Sequence, residues 1–111
     1  RYISKPVELV NPANEVSITF EANRPPEASI DVYCKVSEVG EGKQFSELLW
    51  QKINLDDTVP PNEKYDSFSE YSYSKEFAND FNVYAIKIVM RSADEARVPR
   101  LRDLRAVSVK G

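Results

Sequence analysis

The residues that could do chemistry in this chain are its carboxylates and a single thiol, and neither group has the partners that catalysis requires. The sequence contains no histidine, so the usual general base and the commonest transition-metal ligand are both missing. Cys34 is the only cysteine, and its place on the apolar side of an alternating segment favours a buried thiol over a reactive one. We therefore predict no catalytic residue, no cofactor and no metal, and a protein that is not an enzyme.

Neighbouring carboxylates are the remaining candidates for hydrolysis or metal binding. They form three pairs in turn-rich segments: Asp56 with Asp57, Glu63 with Asp66, and Asp94 with Glu95. A hydrolytic pair needs a carboxyl group whose pKa burial has raised, whereas acids in loops are usually solvated. Calcium could be held by Asp56, Asp57 and Asn62, but their spacing matches no defined calcium loop. We interpret these acids as solvated turn residues.

Four aromatic residues could stack on sugar rings if they project from one exposed face of a sheet. They are Trp50, Tyr71, Tyr73 and Tyr84. Carbohydrate-binding modules use such an arrangement, because an aromatic ring offers a flat apolar surface. We favour the alternative, in which these rings fill the core or cover the sheet.

The carboxyl-terminal part of the chain carries four arginines within nine residues. They are Arg97, Arg100, Arg102 and Arg105. Arginine is enriched at protein interfaces and pairs bidentately with carboxylates, so this stretch is the preferred candidate for contact with a partner. The alternative is that these arginines form ion pairs inside the domain, for instance Arg102 with Asp103 or with an acid of a neighbouring strand. We favour this alternative slightly over contact with a partner.

The elements that must position these residues are extended segments in which apolar and polar side chains alternate. About seven are recognisable, at residues 3–9, 16–22, 30–37, 50–53, 68–74, 83–90 and 101–109. Connections rich in Pro, Gly, Asp and Asn separate them, and no convincing amphipathic helix occurs. This pattern predicts an all-β fold, a two-sheet antiparallel β-sandwich with jelly-roll-like wiring, as a single domain over residues 1–111.

Length, composition and charge limit the partners. With 111 residues, 41% hydrophobic and 30% charged, the chain suits one folded domain. The net charge of −3 argues against nucleic acid as a partner, because a phosphate-binding surface needs a cationic excess. No apolar run is long enough for a membrane segment. The first residue is Arg1 rather than methionine, so we expect a segment of a longer polypeptide.

Three stretches together resemble a known family of modules. Residues 1–9 read RYISKPVEL, residues 22–36 read ANRPPEASIDVYCKV, and residues 84–92 and 98–107 read YAIKIVMRS and VPRLRDLRAV. They resemble a β-rich module of virion structural proteins in large contractile-tailed bacteriophages, especially marine ones, where it recurs in large baseplate or tail polypeptides. The loop at residues 40–47 departs from that pattern, and the resemblance carries over no catalytic or ligand-binding residue.

The resemblance implies a non-enzymatic structural or interaction module of a phage tail or baseplate protein. Its partners would be other virion proteins or further copies of itself, and its location the virion, assembled in the host cytoplasm. The alternative is a carbohydrate-binding module that recognises a host surface glycan through the four aromatic residues. A third hypothesis is a non-catalytic accessory domain attached to an enzyme elsewhere on a longer chain.

Overall fold

Six β-strands make up most of the regular structure in the described part of the chain. The structure, a computed structural model, describes residues 1–93 and 97–111. Its strands are β1 (Tyr2–Ile3), β2 (Val7–Asn23), β3 (Ala28–Glu38), β4 (Gln51–Ile53), β5 (Ser69–Ser92) and β6 (Arg100–Val109). The only helical segment in the described ranges is one 3₁₀ turn at Phe45–Glu47, so the all-β prediction is confirmed.

All six strands belong to one antiparallel hydrogen-bonded sheet. The strand order is β4-β3-β5-β2-β6, and β1 also pairs with β5. The antiparallel part of the predicted fold is therefore confirmed, with six strands where about seven were expected. The sandwich packing and the jelly-roll wiring stay predictions.

The structure joins the segments expected at 68–74 and 83–90, and it joins the one at 16–22 to residues 7–9 of the segment expected at 3–9. The segments predicted at 68–74 and 83–90 are both parts of the 24-residue β5. No proline or glycine lies between them, so nothing in the backbone chemistry ends the strand. Similarly, β2 begins at Val7 and runs through Pro12, which lies where the pairing with β5 shifts register. A proline is tolerated there because a bulge leaves residues out of the hydrogen-bond ladder.

Bulges in both long strands bend the sheet. Between the pairs Glu8–Val83 and Ala13–Phe81, β2 advances five residues while β5 advances two. In the next interval, from Ala13–Phe81 to Glu15–Glu76, β5 advances five residues while β2 advances two. Extra residues in one strand make it bend and twist. Both long strands therefore change direction near Phe81, which is fully buried.

The core lies on one face of the sheet along its whole length. Its members are the alternate residues of four strands and their neighbours, among them Val16, Ile18, Phe20, Ala22, Ile30, Val32, Cys34, Ile53, Tyr71, Tyr73, Phe81, Tyr84, Ile86 and Ile88. Phe20 is at the centre of the β2–β5 half, where its ring stacks on Tyr71 and Tyr73 with centroids 5.6 and 5.5 Å away. The period-two pattern of the sequence thus places the expected side chains inside.

A buried polar network fixes the long connection between β4 and β5. The Asn23 amide donates to the backbone oxygens of Lys64 and Ser67, at 2.8 and 2.6 Å. Asn62 exchanges hydrogen bonds with the backbone of Arg24, at 2.7 and 2.9 Å. The Arg24 guanidinium donates to the Tyr71 hydroxyl and to the carbonyls of Ala28 and Val59. These contacts hold an otherwise irregular segment against the end of β2.

Strand β6 forms one edge of the sheet and is interrupted once. Its pairing with β2 skips a residue between Thr19–Arg105 and Glu21–Arg102, and Asp103 adopts a φ of +56°. Aspartate is one of the few residues that tolerate this left-handed conformation. The resulting bulge separates β6 into a first part with Arg100 and Arg102 and a second part from Arg105 to Val109.

Candidate functional site

The first two arginines of β6 are held within the domain. The Arg100 guanidinium lies 4.0 Å from the Tyr65 ring centroid and donates to the Tyr65 carbonyl. Arg102 stacks on Phe68 at 3.8 Å and pairs with Glu21 of the neighbouring strand at 2.8 Å. Glu21 also lies opposite Glu70, so Arg102 relieves the repulsion of two facing carboxylates. The contact between Arg102 and Asp103 is longer, at 4.0 Å.

The other two predicted arginines are exposed, and neither forms an ion pair in the described part of the chain. Arg97 lines a cavity of about 180 Å³ together with Arg100, Tyr65 and Glu63. Arg105 lies beyond the bulge, opposite Thr19. The structure therefore brings Arg97 and Arg100 to one cavity, and leaves Arg105 on the second part of β6.

The second part of β6 is an open strand edge with apolar side chains. Within the ranges that the structure describes, β6 pairs only with β2, so its other edge has no strand partner. Val107 and Val109 are 55% and 43% exposed, on the same face as Arg105. An unpaired edge presents a row of backbone donors and acceptors that another strand can use. The sequence pattern predicted the strand, but alternation alone does not reveal which strand ends a sheet.

Three of the four aromatic residues considered for sugar stacking lie in the core, which agrees with the interpretation that we favoured and corrects the glycan-stacking alternative. Tyr71, Tyr73 and Tyr84 are 1%, 2% and 4% exposed. They occupy the inward positions of β5, where Tyr71 and Tyr73 stack on Phe20 and Tyr84 packs edge-to-face on Phe81. Their ring faces are covered by protein, so these tyrosines cannot stack on a glycan.

The two stacked tyrosines differ in their hydroxyl groups, which gives a matched test. The Tyr71 hydroxyl accepts a hydrogen bond from Arg24 Nε at 3.0 Å, whereas the buried Tyr73 hydroxyl has no partner among the residues that the structure describes. We expect Tyr73→Phe to leave the free energy of unfolding unchanged or raise it by about 1 kcal/mol, because it removes an unpaired polar atom. Tyr71→Phe should lower the free energy of unfolding by about 1–2 kcal/mol, because it leaves the Arg24 Nε donor without its acceptor. Urea denaturation of both variants checks this, and equal losses would contradict it.

Burial also raises the pKa of the Tyr73 hydroxyl above its usual range. The native state therefore keeps this proton at a pH where the unfolded chain releases it. The wild-type protein should lose stability above about pH 10, and Tyr73→Phe should lose less.

Trp50 lies apart from the tyrosines, in a cluster of rings and lysines on the opposite face of the sheet. The Lys35 ammonium is 4.6 Å from the Phe45 ring centroid and 4.8 Å from that of Trp50. The Lys87 ammonium is 5.0 Å from the Trp50 centroid and 4.7 Å from that of Tyr33. We call these five residues the lysine–aromatic cluster. Sequence reasoning missed both lysines, because lysine at a polar strand position usually points to water.

A groove of about 350 Å³ borders this cluster. It is lined by Ile3, Ser4, Pro6, Lys35, Phe45, Ser46, Trp50 and Ala85. Lys35, only 7% exposed, is the one charged residue that lines it. The backbone of Ser4 donates to the Ile86 carbonyl at 2.8 Å, and the Ser4 hydroxyl accepts from the Ile86 amide at 2.9 Å. The amino-terminal wall of the groove is therefore fixed to β5.

The thiol and the described acids that the sequence singles out lie in separate surroundings. Cys34 is fully buried, and desolvation raises the pKa of its thiol to about 12, so it stays protonated at neutral pH. Asp56 accepts a hydrogen bond from Ser74, while Asn62 is engaged with Arg24, so these two candidate calcium ligands serve different networks. Glu63 and Asp66 are both exposed, in the irregular segment before β5. The pair Asp94 and Glu95 lies outside the described residues.

Neither the described residues nor similarity to known proteins assigns a further function to the chain. In residues 1–93 and 97–111, no three metal-ligating side chains form a group that could hold an ion. None of the helices described is long and apolar enough to span a membrane. No protein-family model, curated protein or solved structure matches the chain significantly.

Proposed function

We propose that this domain is a non-enzymatic interaction module that binds its partner through the second part of β6, from Arg105 to Val109. The observation that supports this proposal most directly is the open backbone edge of that segment. Proteins usually protect long edge strands with a covering element, a bulge or a charge. Here the bulge at Asp103 and the internally held Arg100 and Arg102 protect only the first part.

The side chains of this segment fit strand addition. Backbone hydrogen bonds to an added strand supply affinity, and alternate side chains supply specificity. Val107 and Val109 offer apolar contacts, and Arg105 offers a guanidinium that forms no ion pair in residues 1–93 and 97–111. We propose an extended, partly acidic segment as the partner, because a carboxylate opposite Arg105 would complete that pair.

The setting that we propose for this interaction is a phage tail or baseplate, where the partner is another virion protein or a second copy. This part of the proposal rests on the family resemblance of the three stretches described above. We also propose that the two halves of the bent sheet act as the layers of a sandwich, since their inward side chains contribute to one core. Three of the four rings that the carbohydrate-binding alternative requires are buried in that core.

Site-specific photo-crosslinking tests the proposed docking segment. A photoreactive amino acid at position 107, in particles assembled by the phage that encodes the chain, should form an adduct with another structural protein or a second copy. The matched control is position 49, because Leu49 is also an exposed aliphatic residue, 84% accessible, and lies just before β4 at the opposite edge of the sheet.

An adduct at position 107 but not at position 49 would support the proposal. Equal labelling at the two positions, or none at position 107, would contradict the docking segment. Absence of the chain from purified particles would contradict the phage setting. Turnover of a glycan or peptide substrate by the purified domain would contradict the non-enzymatic assignment.

A further inference from the structure

We propose that the groove between residues 3–6 and Trp50 binds a small carboxylate ligand with an apolar or ring-shaped body, and that the carboxylate pairs with Lys35. This site is distinct from the β6 edge and does not depend on it. It belongs to the opposite face of the sheet from the core, where the lysine–aromatic cluster lies.

Lys35 is the feature that points to an anion. It is more than nine-tenths buried, yet no carboxylate and no side-chain hydrogen-bond acceptor among the described residues pairs with its ammonium. An ammonium that lines a groove has lost part of its hydration, and a counter-charge or hydrogen bonds can replace that lost part. The rings of Phe45 and Trp50 replace part of it through cation–π contacts. A bound carboxylate would supply the missing counter-charge.

A neighbouring lysine shows the usual arrangement. Lys52 of β4 is 58% exposed at its side chain and forms an ion pair with Asp31 at 3.4 Å. Lys35, by contrast, has Ala85 as its sheet neighbour on β5. Lys87 is a second cation beside Trp50 without an ion pair in the described part of the chain. Two uncompensated lysines at one place are notable in a chain with a net charge of −3.

The walls of the groove define the rest of the ligand. Ile3, Pro6 and Phe45 give apolar contacts, and Ser46 adds a hydroxyl. A volume of about 350 Å³ lies at the small end of ligand pockets. It suits a ligand built on one ring. An acidic monosaccharide and an aromatic acid share this chemistry, a carboxylate on a ring with an apolar face.

Tryptophan fluorescence tests this site directly, because Trp50 is the only tryptophan in the chain. The purified protein is titrated with sodium glucuronate and, separately, with sodium phenylacetate, at constant ionic strength. The neutral analogues are glucose and phenylacetamide. We expect a saturable change of Trp50 emission with at least one acid, in the millimolar range, and a much weaker one with its neutral analogue. The acid with the lower dissociation constant shows whether the site prefers an acidic monosaccharide or an aromatic acid.

Two variants that each remove one positive charge distinguish an ion pair at Lys35 from a general electrostatic effect on binding. Lys35→Gln should weaken binding by about tenfold or more, because it removes the ion pair at the site. Lys52→Gln, on the same face, should change the dissociation constant by less than about twofold, because its ammonium already has a partner. Far-UV circular dichroism checks that both variants are folded, and Lys87→Gln, expected to weaken binding severalfold, serves as a second variant.

Three results would overturn the proposal. One is the lack of any saturable change when the wild-type protein is titrated with both acids, which does not depend on the folding of a variant. The second is equal binding of an acid and its neutral analogue. The third is a folded Lys35→Gln variant that binds as tightly as the wild type.

Discussion

Phe20→Ala is expected to lower the free energy of unfolding by about 3–5 kcal/mol, the range for truncating a large aromatic residue in a core. Phe20 is fully buried and stacks on both Tyr71 and Tyr73. Truncation removes buried apolar area and leaves a cavity between two rings that the sheet holds in register. Small domains have a total stability of about 5–15 kcal/mol, so the variant should be close to unfolding.

Urea denaturation followed by circular dichroism measures this effect as a lower midpoint with an unchanged slope. Phe68→Ala is the matched control, because Phe68 is half-buried and its ring packs on Arg100 and Arg102 rather than in the core. We expect it to cost about 1 kcal/mol. Equal losses in the two variants would contradict the placement of Phe20 at the centre of the core.

Asn23→Asp is expected to lower the free energy of unfolding by about 3 kcal/mol at neutral pH, although it barely changes the shape of the side chain. The amide of Asn23, 3% exposed, donates to two carbonyls that belong to the connection before β5. A carboxylate cannot donate, so the change would place a negative charge against two carbonyl oxygens. The connection should detach from the end of β2.

The pH dependence of this variant gives a second check. Burial and the two carbonyls favour the protonated form, so the pKa of the introduced carboxyl group is higher in the folded state. The penalty therefore appears as the pH rises above about 4, the usual pKa of aspartate, and is largely absent below it. Asn79→Asp, at an exposed position of β5, is the control, with an expected effect within about 0.5 kcal/mol. A pH-independent loss at position 23 would contradict this account.

The strand content was predictable because it depends on local alternation. The residues Val16, Ile18 and Phe20 alternate with polar ones, and they are buried as the pattern requires. The continuity of β5 was not predictable from the same pattern. Residues 75–82 break the alternation without a proline or glycine, so the sequence indicates a connection there where the structure has a bulged strand.

The arrangement of the candidate sites depended on long-range pairing that alternation does not encode. Tyr71 and Tyr73 are two residues apart and therefore share a face of their strand, but which face is buried depends on the strands beside them. Lys35 and Trp50 are fifteen residues apart and meet only because the loop after β3 folds back over the sheet. The Asn23–Arg24–Asn62 network is equally hidden in the sequence, because Asn62 lies 38 residues beyond Arg24 in the chain.

The two proposed sites differ in what the domain itself provides. At the β6 edge the partner would complete a sheet, so the backbone supplies most of the interaction. In the groove beside Trp50 the ligand would neutralise a largely buried lysine that has no ion pair among the described residues. Because the sites are carried by different strands, a substitution at Val107 should leave ligand binding near Lys35 unchanged.

Hydrogen–deuterium exchange of residues 105–109 tests the central claim most directly, because it observes the backbone edge that we propose as the docking segment. In the isolated domain, the amides of these residues that point away from β2 should exchange rapidly, since no strand in the described ranges pairs with them. In the phage particles that we propose as the setting, the same amides should be protected, while those of the loop at Leu49 should not change. Equal exchange of residues 105–109 in the isolated and assembled states would contradict the claim.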